Sequence, residues 1–241
     1  MATKMKRAVA LINRIQFVDL ARAVAQPRSD RKDWLRTYLN RKTGNFPTYE
    51  QFRKATPTIY GVQRALDPSP LVSRDDLERN LIKACKGNYT EMNVEAALTL
   101  FDLVRRGDCT AYDHAPKTLK LGLDRHAAIR IEQYVVRNEE LIFQFPYPRR
   151  ERLSESELRL MMSMIHYAYA QGDFAAAQVE IADLSAVGTT IWSSGERLPA
   201  AREPRIVKLG PGELIDRRAM EPEIQTVHDL LLEIGSEPDE A

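Results

Sequence analysis

The chain is poor in the residues that most often announce a function. Two cysteines in 241 residues, Cys85 and Cys109, with no CxxC and no paired Cys/His spacing, offer neither a disulfide framework nor a zinc-binding pattern, and suit a reduced, cytoplasmic protein. Eleven glycines are scattered, so no phosphate-cradling loop and no GxSxG turn occurs. Long apolar runs are missing too: the densest segment, 158–170, contains Arg159 and His166, and no membrane span is expected. Lys4, Lys6 and Arg7 precede an apolar run of only Ala8 to Ile12, too short for the core of a signal peptide. The four histidines, His114, His126, His166 and His228, form no HxxH, HxxE or HExxH, so no metal and no cofactor is expected. With no catalytic signature, a non-enzymatic role is expected.

Net charge is nearly absent as well, at +1, yet its distribution is uneven. Residues 1–60 carry thirteen lysines and arginines against four acids, and residues 211–241 carry nine acids against Arg217 and Arg218. That asymmetry points either to a polyanion at the basic end or to mutual neutralisation of the two ends, within one subunit or between subunits.

Hydrophobic periodicity divides the chain into a basic helical region, 1–110, and an α+β region, 111–241, which could form one continuous domain. Helices are expected over about 6–25, through Trp34 to Leu39, from Asp75-Asp76 to Cys85, and over 93–104. Ala128 to Val136 and Leu141 to Phe145, parted by Arg137-Asn138-Glu139, suggest a hairpin. Ser154 followed by Glu157 is a capping-box start for a long helix ending before Gly172. Val179 to Leu184 and Arg205 to Leu209 suggest further strands, and Glu223 to Ile234 an amphipathic helix. The expected fold is α+β, with a helical N-terminal half and a small antiparallel sheet packed on the long helix. Glu180 and Asp183, three apart on a strand, face opposite sides and cannot form one carboxylate pair.

Pro47, Tyr49 and Phe52, a break at Thr56-Pro57, then Ile59, Val62 and Leu66 turned inward make residues 45–66 resemble a helix-turn-helix. The resemblance implies that Thr58, Tyr60, Gln63 and Arg64 face base edges while Arg41, Lys42, Arg53 and Lys54 hold phosphates. Two connecting helices of a helical subdomain would show the same pattern. From residue 93 to 184 the order helix, strand (Thr118 to Leu123), strand, strand, helix, strand resembles the core of the restriction-endonuclease-like superfamily. That family needs an acid on its second strand and an acid-x-Lys on its third, to hold a divalent cation and polarise water. Here Gln144-Phe145-Pro146 stands at the third-strand position, which leaves Glu132 and Glu95 as the only candidate acids. Arg149 and Arg150, beside a helix start, are candidates for binding a phosphate or carboxylate, or for local ion pairing with Glu151, Glu155 and Glu157.

The leading expectation is thus a cytoplasmic nucleic-acid-binding or regulatory protein that uses its basic helical region. The alternative is a protein-interaction or assembly subunit docking through its charge-asymmetric ends on an acidic partner or on itself. An inactive endonuclease-like scaffold ranks third.

Overall fold

The computed structural model describes residues 15–40, 49–64, 67–68, 71–85, 87–105, 109–120, 126–186, 192–193, 196–197 and 202–237. In chain order the elements are α1 (Phe17–Ala25), α2 (Arg31–Asn40), α3 (Glu50–Tyr60), β1 (Gln63–Arg64), β2 (Asp67–Pro68), α4 (Arg74–Ala84) and α5 (Thr90–Val104). Then follow β3 (Thr110–Asp113), β4 (Lys117–Lys120), β5 (His126–Ile129), β6 (Gln133–Arg137), β7 (Glu140–Tyr147) and α6 (Glu155–Tyr169). The remaining elements are β8 (Gln178–Asp183), β9 (Trp192–Ser193), β10 (Glu196–Arg197), β11 (Arg205–Lys208) and α7 (Arg217–Ser236). The fold is α+β, as expected.

Local chemistry explains where several elements begin. Ser73 accepts from the Asp76 N–H to start α4. At α6, Ser154 accepts from the Glu157 N–H (3.3 Å) and the Glu157 carboxylate accepts from the Ser154 N–H (2.7 Å), the reciprocal capping box. Between β6 and β7 the chain reverses in two residues, with Arg137 opposite Glu140. Asn138 and Glu139 both have positive φ, 51° and 65°, which the tight right-twisted hairpin demands.

The main sheet has the order β11-β8-β7-β6-β3-β1-β2. It is mixed rather than purely antiparallel, because α6 carries the chain back so that β8 lies parallel to β7, with Phe143 opposite Val179 and Phe145 opposite Ile181. The short β1 also runs parallel to β3, so that Gln63 and Arg64, expected in a second short helix, are extended.

Alternation along the strands feeds two cores. Phe143, Tyr147, Val179 and Ile181 pack with α1, α2, α6 and α7 on one face. Val135, Ile142, Ala182 and Leu184 pack with α3, α4 and α5 on the other. Helices therefore cover both faces of the central strands, and each core draws on residues from both sides of position 110.

Candidate interaction surfaces and buried polar centres

The basic region of the chain folds against the acidic one. Arg28 and Arg31 both reach Glu223, the latter at 2.7 Å; Lys32 lies 2.5 Å from Glu233 and 3.0 Å from Glu237; Arg36 lies 2.7 Å from Glu237. These contacts form a seam between α7 and the start and outer face of α2. Hydrogen bonds from Arg28 and then Arg31 hold the Glu223 carboxyl below its usual range, and Arg36 and then Lys32 do the same for Glu237. Arg22 pairs with Glu151 at 2.8 Å, and Lys54 with Glu50 at 2.6 Å. Of the seven cations described between residues 15 and 60, these six stand in ion pairs, and Arg53 is exposed on α3. Among the described residues, Arg28, Arg31, Lys32 and Arg36 are neutralised by the acidic end of the same subunit.

The segment expected to resemble a helix-turn-helix is different in structure. Arg41 and Lys42 lie outside the described residues, as does the segment up to 48. From Glu50 the helix runs unbroken through Thr56-Pro57 to Tyr60, so the expected break is not there. Pro57 removes one backbone hydrogen bond, yet Phe52, Thr56, Ile59 and Tyr60 recur on one buried face and hold the helix on the sheet. The helix stops at Gly61, whose φ of 61° suits glycine and where a Cβ would fall 2.8 Å from Leu71 Cδ2. Arg53, Lys54 and Thr58 are exposed, whereas Tyr60 is only 4% exposed and does not face outward. Gln63 and Arg64 belong to β1, not to a helix.

Tyr60 instead belongs to a buried polar centre on the face of the sheet that packs on α3 to α5. Its hydroxyl donates to Gln144 Oε1, and Gln144 Nε2 donates to Glu180 Oε2 at 2.6 Å. Arg137 grips the same carboxylate with two hydrogen bonds of 3.1 Å, and Lys208 approaches at 2.9 Å. Glu180 is 0% exposed, so its charge is compensated from strands on either side of it. Burial, with Cys109 and Glu180 nearby, pushes the Tyr60 hydroxyl far up and keeps it a neutral donor. Asp183 faces the opposite way, to Arg205 at 2.9 Å, as the strand period requires. Sequence reasoning noted Glu180 but missed Arg137 and Lys208 as its partners. The alternation that turns Gln144 and Glu180 to one side of adjacent strands was the signal that could have found them.

Arg149 and Arg150 do not act together. Arg149 forks onto Asp19 at 2.6 and 3.0 Å, with Tyr38 donating to the same carboxylate. Burial and that carboxylate push the Tyr38 hydroxyl up to about 12. Arg150 points to Glu95 at 2.9 Å, on the opposite layer. The endonuclease-like candidates are also dispersed: Glu132 is exposed just before β6, and Glu95 is engaged by Arg150 and by Arg202. Among the described residues no group of three His, Cys, Asp or Glu is placed to hold a metal, and Cys85 and Cys109 are free thiols. No helix in the described residues is long and apolar enough to cross a membrane.

The described surface does carry apolar side chains. Leu71 is 68% and Ile82 53% exposed, and between α3 and α4 lies an open groove lined by Ala55, Val72, Leu77 and Leu81 with Lys54 at its edge.

No curated protein and no solved structure matches the chain. A family model does, over residues 18–233, and its description is "Sliding clamp-binding bacterial toxin SocB". Since that match spans residues 18–233 of the 241, the chain belongs to the SocB family.

Proposed function

We propose that this protein works by docking on another protein, the bacterial sliding clamp, and that its toxicity follows from that contact. The match to the SocB family over residues 18–233 carries the reading. The charge seam supports it: four of the early cations, Arg28, Arg31, Lys32 and Arg36, are paired with Glu223, Glu233 and Glu237 and so are not free to gather on phosphates. What remains is the protein-interaction alternative, with an acidic helix meeting basic residues inside the subunit rather than on a partner.

Titration calorimetry of the purified chain into purified sliding clamp tests it, with a random-sequence duplex as the competing ligand. A saturable complex with the clamp and none of comparable strength with the duplex is expected; heats with the duplex alone would overturn the reading. Leu71→Asp and Ile82→Asp, the most exposed large apolar residues described, are the first variants to try. In cells, growth arrest on expression should be relieved by excess clamp.

We also read β3, β6, β7, β8 and β11 as a restriction-endonuclease-like scaffold. The support is their order in the sheet, with β3, β6 and β7 as antiparallel neighbours, α6 as the crossover and β8 parallel to β7; the strand expected from Thr118 lies instead in the separate β4-β5 pair, and β3 takes its place. Gln144 at the third-strand position supplies no metal-binding acid. Incubation with Mg²⁺ and duplex should leave the duplex whole; cleavage lost in Glu132→Ala would reverse that.

A further inference from the structure

The parallel strands β7 and β8 end side by side, and the residues just beyond them, Pro148 to Arg150 and Leu184 to Ala186, lie at the same end of the sheet. Beyond the carboxyl ends of parallel strands is where open α/β sheets place their ligands. Three elements meet here. Arg150 Nη2 and Arg202 Nε reach one oxygen of Glu95, at 2.9 and 3.2 Å. Arg202 Nη1 donates to the carbonyls of Pro148 (2.8 Å) and Leu184 (2.6 Å), and the backbone bridge between Ala186 and Arg202 fixes its strand beside Ser185. The Ser185 N–H donates to Asp183 Oδ1 at 3.0 Å, which orients that residue.

After these contacts several buried donors are left over. Arg202 Nη2, Arg150 Nε and Ser185 Oγ have no hydrogen-bond partner among the described residues, and Arg202 Nε has only its ion pair with Glu95. The Arg202 side chain is 3% exposed and Ser185 0%, so these are not surface groups facing bulk water. Buried polar groups are nearly always paired, and a guanidinium is the costliest to leave otherwise. The local charge is also unequal. Asp183 is matched by Arg205, Asp19 by Arg149 and Glu203 by Arg152, but Glu95 alone faces both Arg150 and Arg202. Among the described residues, one positive charge is in excess where the unused donors lie.

We propose that Arg150, Arg202 and Ser185 form a binding site for an oxyanion, a phosphate group, at the carboxyl ends of β7 and β8. Two guanidinium groups and a hydroxyl offer charge and three donors to an acceptor-only tetrahedral ligand, and Glu95 holds both arginines in place. Glu95 and Arg150 are each 28% exposed and form the rim through which such a ligand enters. Phosphate binding here does not presuppose the clamp, and its absence leaves that reading untouched.

The test is thermal unfolding and calorimetry of the full chain with inorganic phosphate, against chloride of equal ionic strength. Phosphate should raise the unfolding midpoint where chloride does not, through one saturable site. Ser185→Ala removes a hydroxyl with no protein partner, so its midpoint without phosphate should stay at the wild-type value while phosphate binding weakens about tenfold. Arg150→Gln should abolish the phosphate response. A phosphate monoester, glycerol 2-phosphate, run in parallel separates the sources: an equal response indicates a phosphate carried on a larger molecule, and a response to inorganic phosphate alone the free ion. Equal midpoints in phosphate and chloride, or a wild-type response in both variants, would overturn the proposal.

Discussion

Arg31 and Glu223 meet at 2.7 Å, one at the start of α2 and the other in α7, and the arginine side chain is almost wholly covered. Arg31 also donates to the carbonyls of Val24 (2.7 Å) and Gln26 (3.0 Å), so it ties α7 to the end of α1 as well as to α2. Removing the carboxylate would leave a covered cation with only neutral partners.

Glu223→Gln should therefore destabilise the protein by about 2 kcal/mol, measured by urea unfolding near neutral pH. The pH dependence has a definite sign. Glu223 and Glu237 are held below their ordinary value of 4.5 in the folded state, so the unfolded chain takes up protons first as pH falls. Their contribution is complete above that value and is lost as pH drops through the lower folded values. Unfolding midpoints should fall in acid below about pH 4.5, and less steeply in Glu223→Gln than in the wild type.

Neutralising the acidic side of the seam takes the α7-side partners from three cations with exposed side-chain surface, Arg28, Lys32 and Arg36. The triple change Glu223→Gln, Glu233→Gln, Glu237→Gln should create duplex binding that the wild type lacks, with affinity falling at close to unit log-log slope in salt per phosphate contacted. Fluorescence anisotropy with a labelled random duplex reads it. Tight wild-type binding would mean that the seam does not mask these cations.

The buried centre at Glu180 should be among the most sensitive points of the fold. Glu180→Ala leaves Arg137 and Lys208 without their anion and is expected to cost about 3 to 5 kcal/mol. Tyr60→Phe deprives Gln144 Oε1 of its donor and should cost about 1 to 2 kcal/mol. Guanidinium titrations separate the two, and a Tyr60→Phe variant as stable as wild type would show that the hydroxyl contributes little.

The hairpin turn offers a stabilising change. Glu139, at a φ of 65°, carries the side-chain penalty of the left-handed region, so Glu139→Gly should gain about 0.5 to 1 kcal/mol. A raised thermal midpoint with unchanged clamp binding is the expected result.

Features that depend on near neighbours along the chain are legible from the amino-acid order itself. The Ser154 capping box, the reversal at Arg137-Asn138-Glu139 and the strand through Val179 to Leu184 all follow from local chemistry and lie where expected. Phase errors arise where one residue type points to a break. Pro57 suggests two helices, which gives Tyr60 a new outward face; in one continuous helix it stands eight positions after Phe52 and turns inward with it. Partnerships across long separations are not legible. Arg137 and Gln144 lie 43 and 36 residues from Glu180, and the seam joins residues about two hundred apart. Charge counting narrows the basic end to two fates, but only packing selects between them.

The place of α7 in the chain has a consequence during synthesis. Met220, Ile224, Val227 and Leu231 complete the core that α1 and α6 line, and the carboxylates of the same helix quiet α2. A ribosome delivers this helix after every other described element, so until then the nascent polypeptide shows raw cations and an uncovered greasy face to an RNA-rich neighbourhood. Premature termination near residue 216 would yield a sticky, positively charged fragment rather than a smaller working protein.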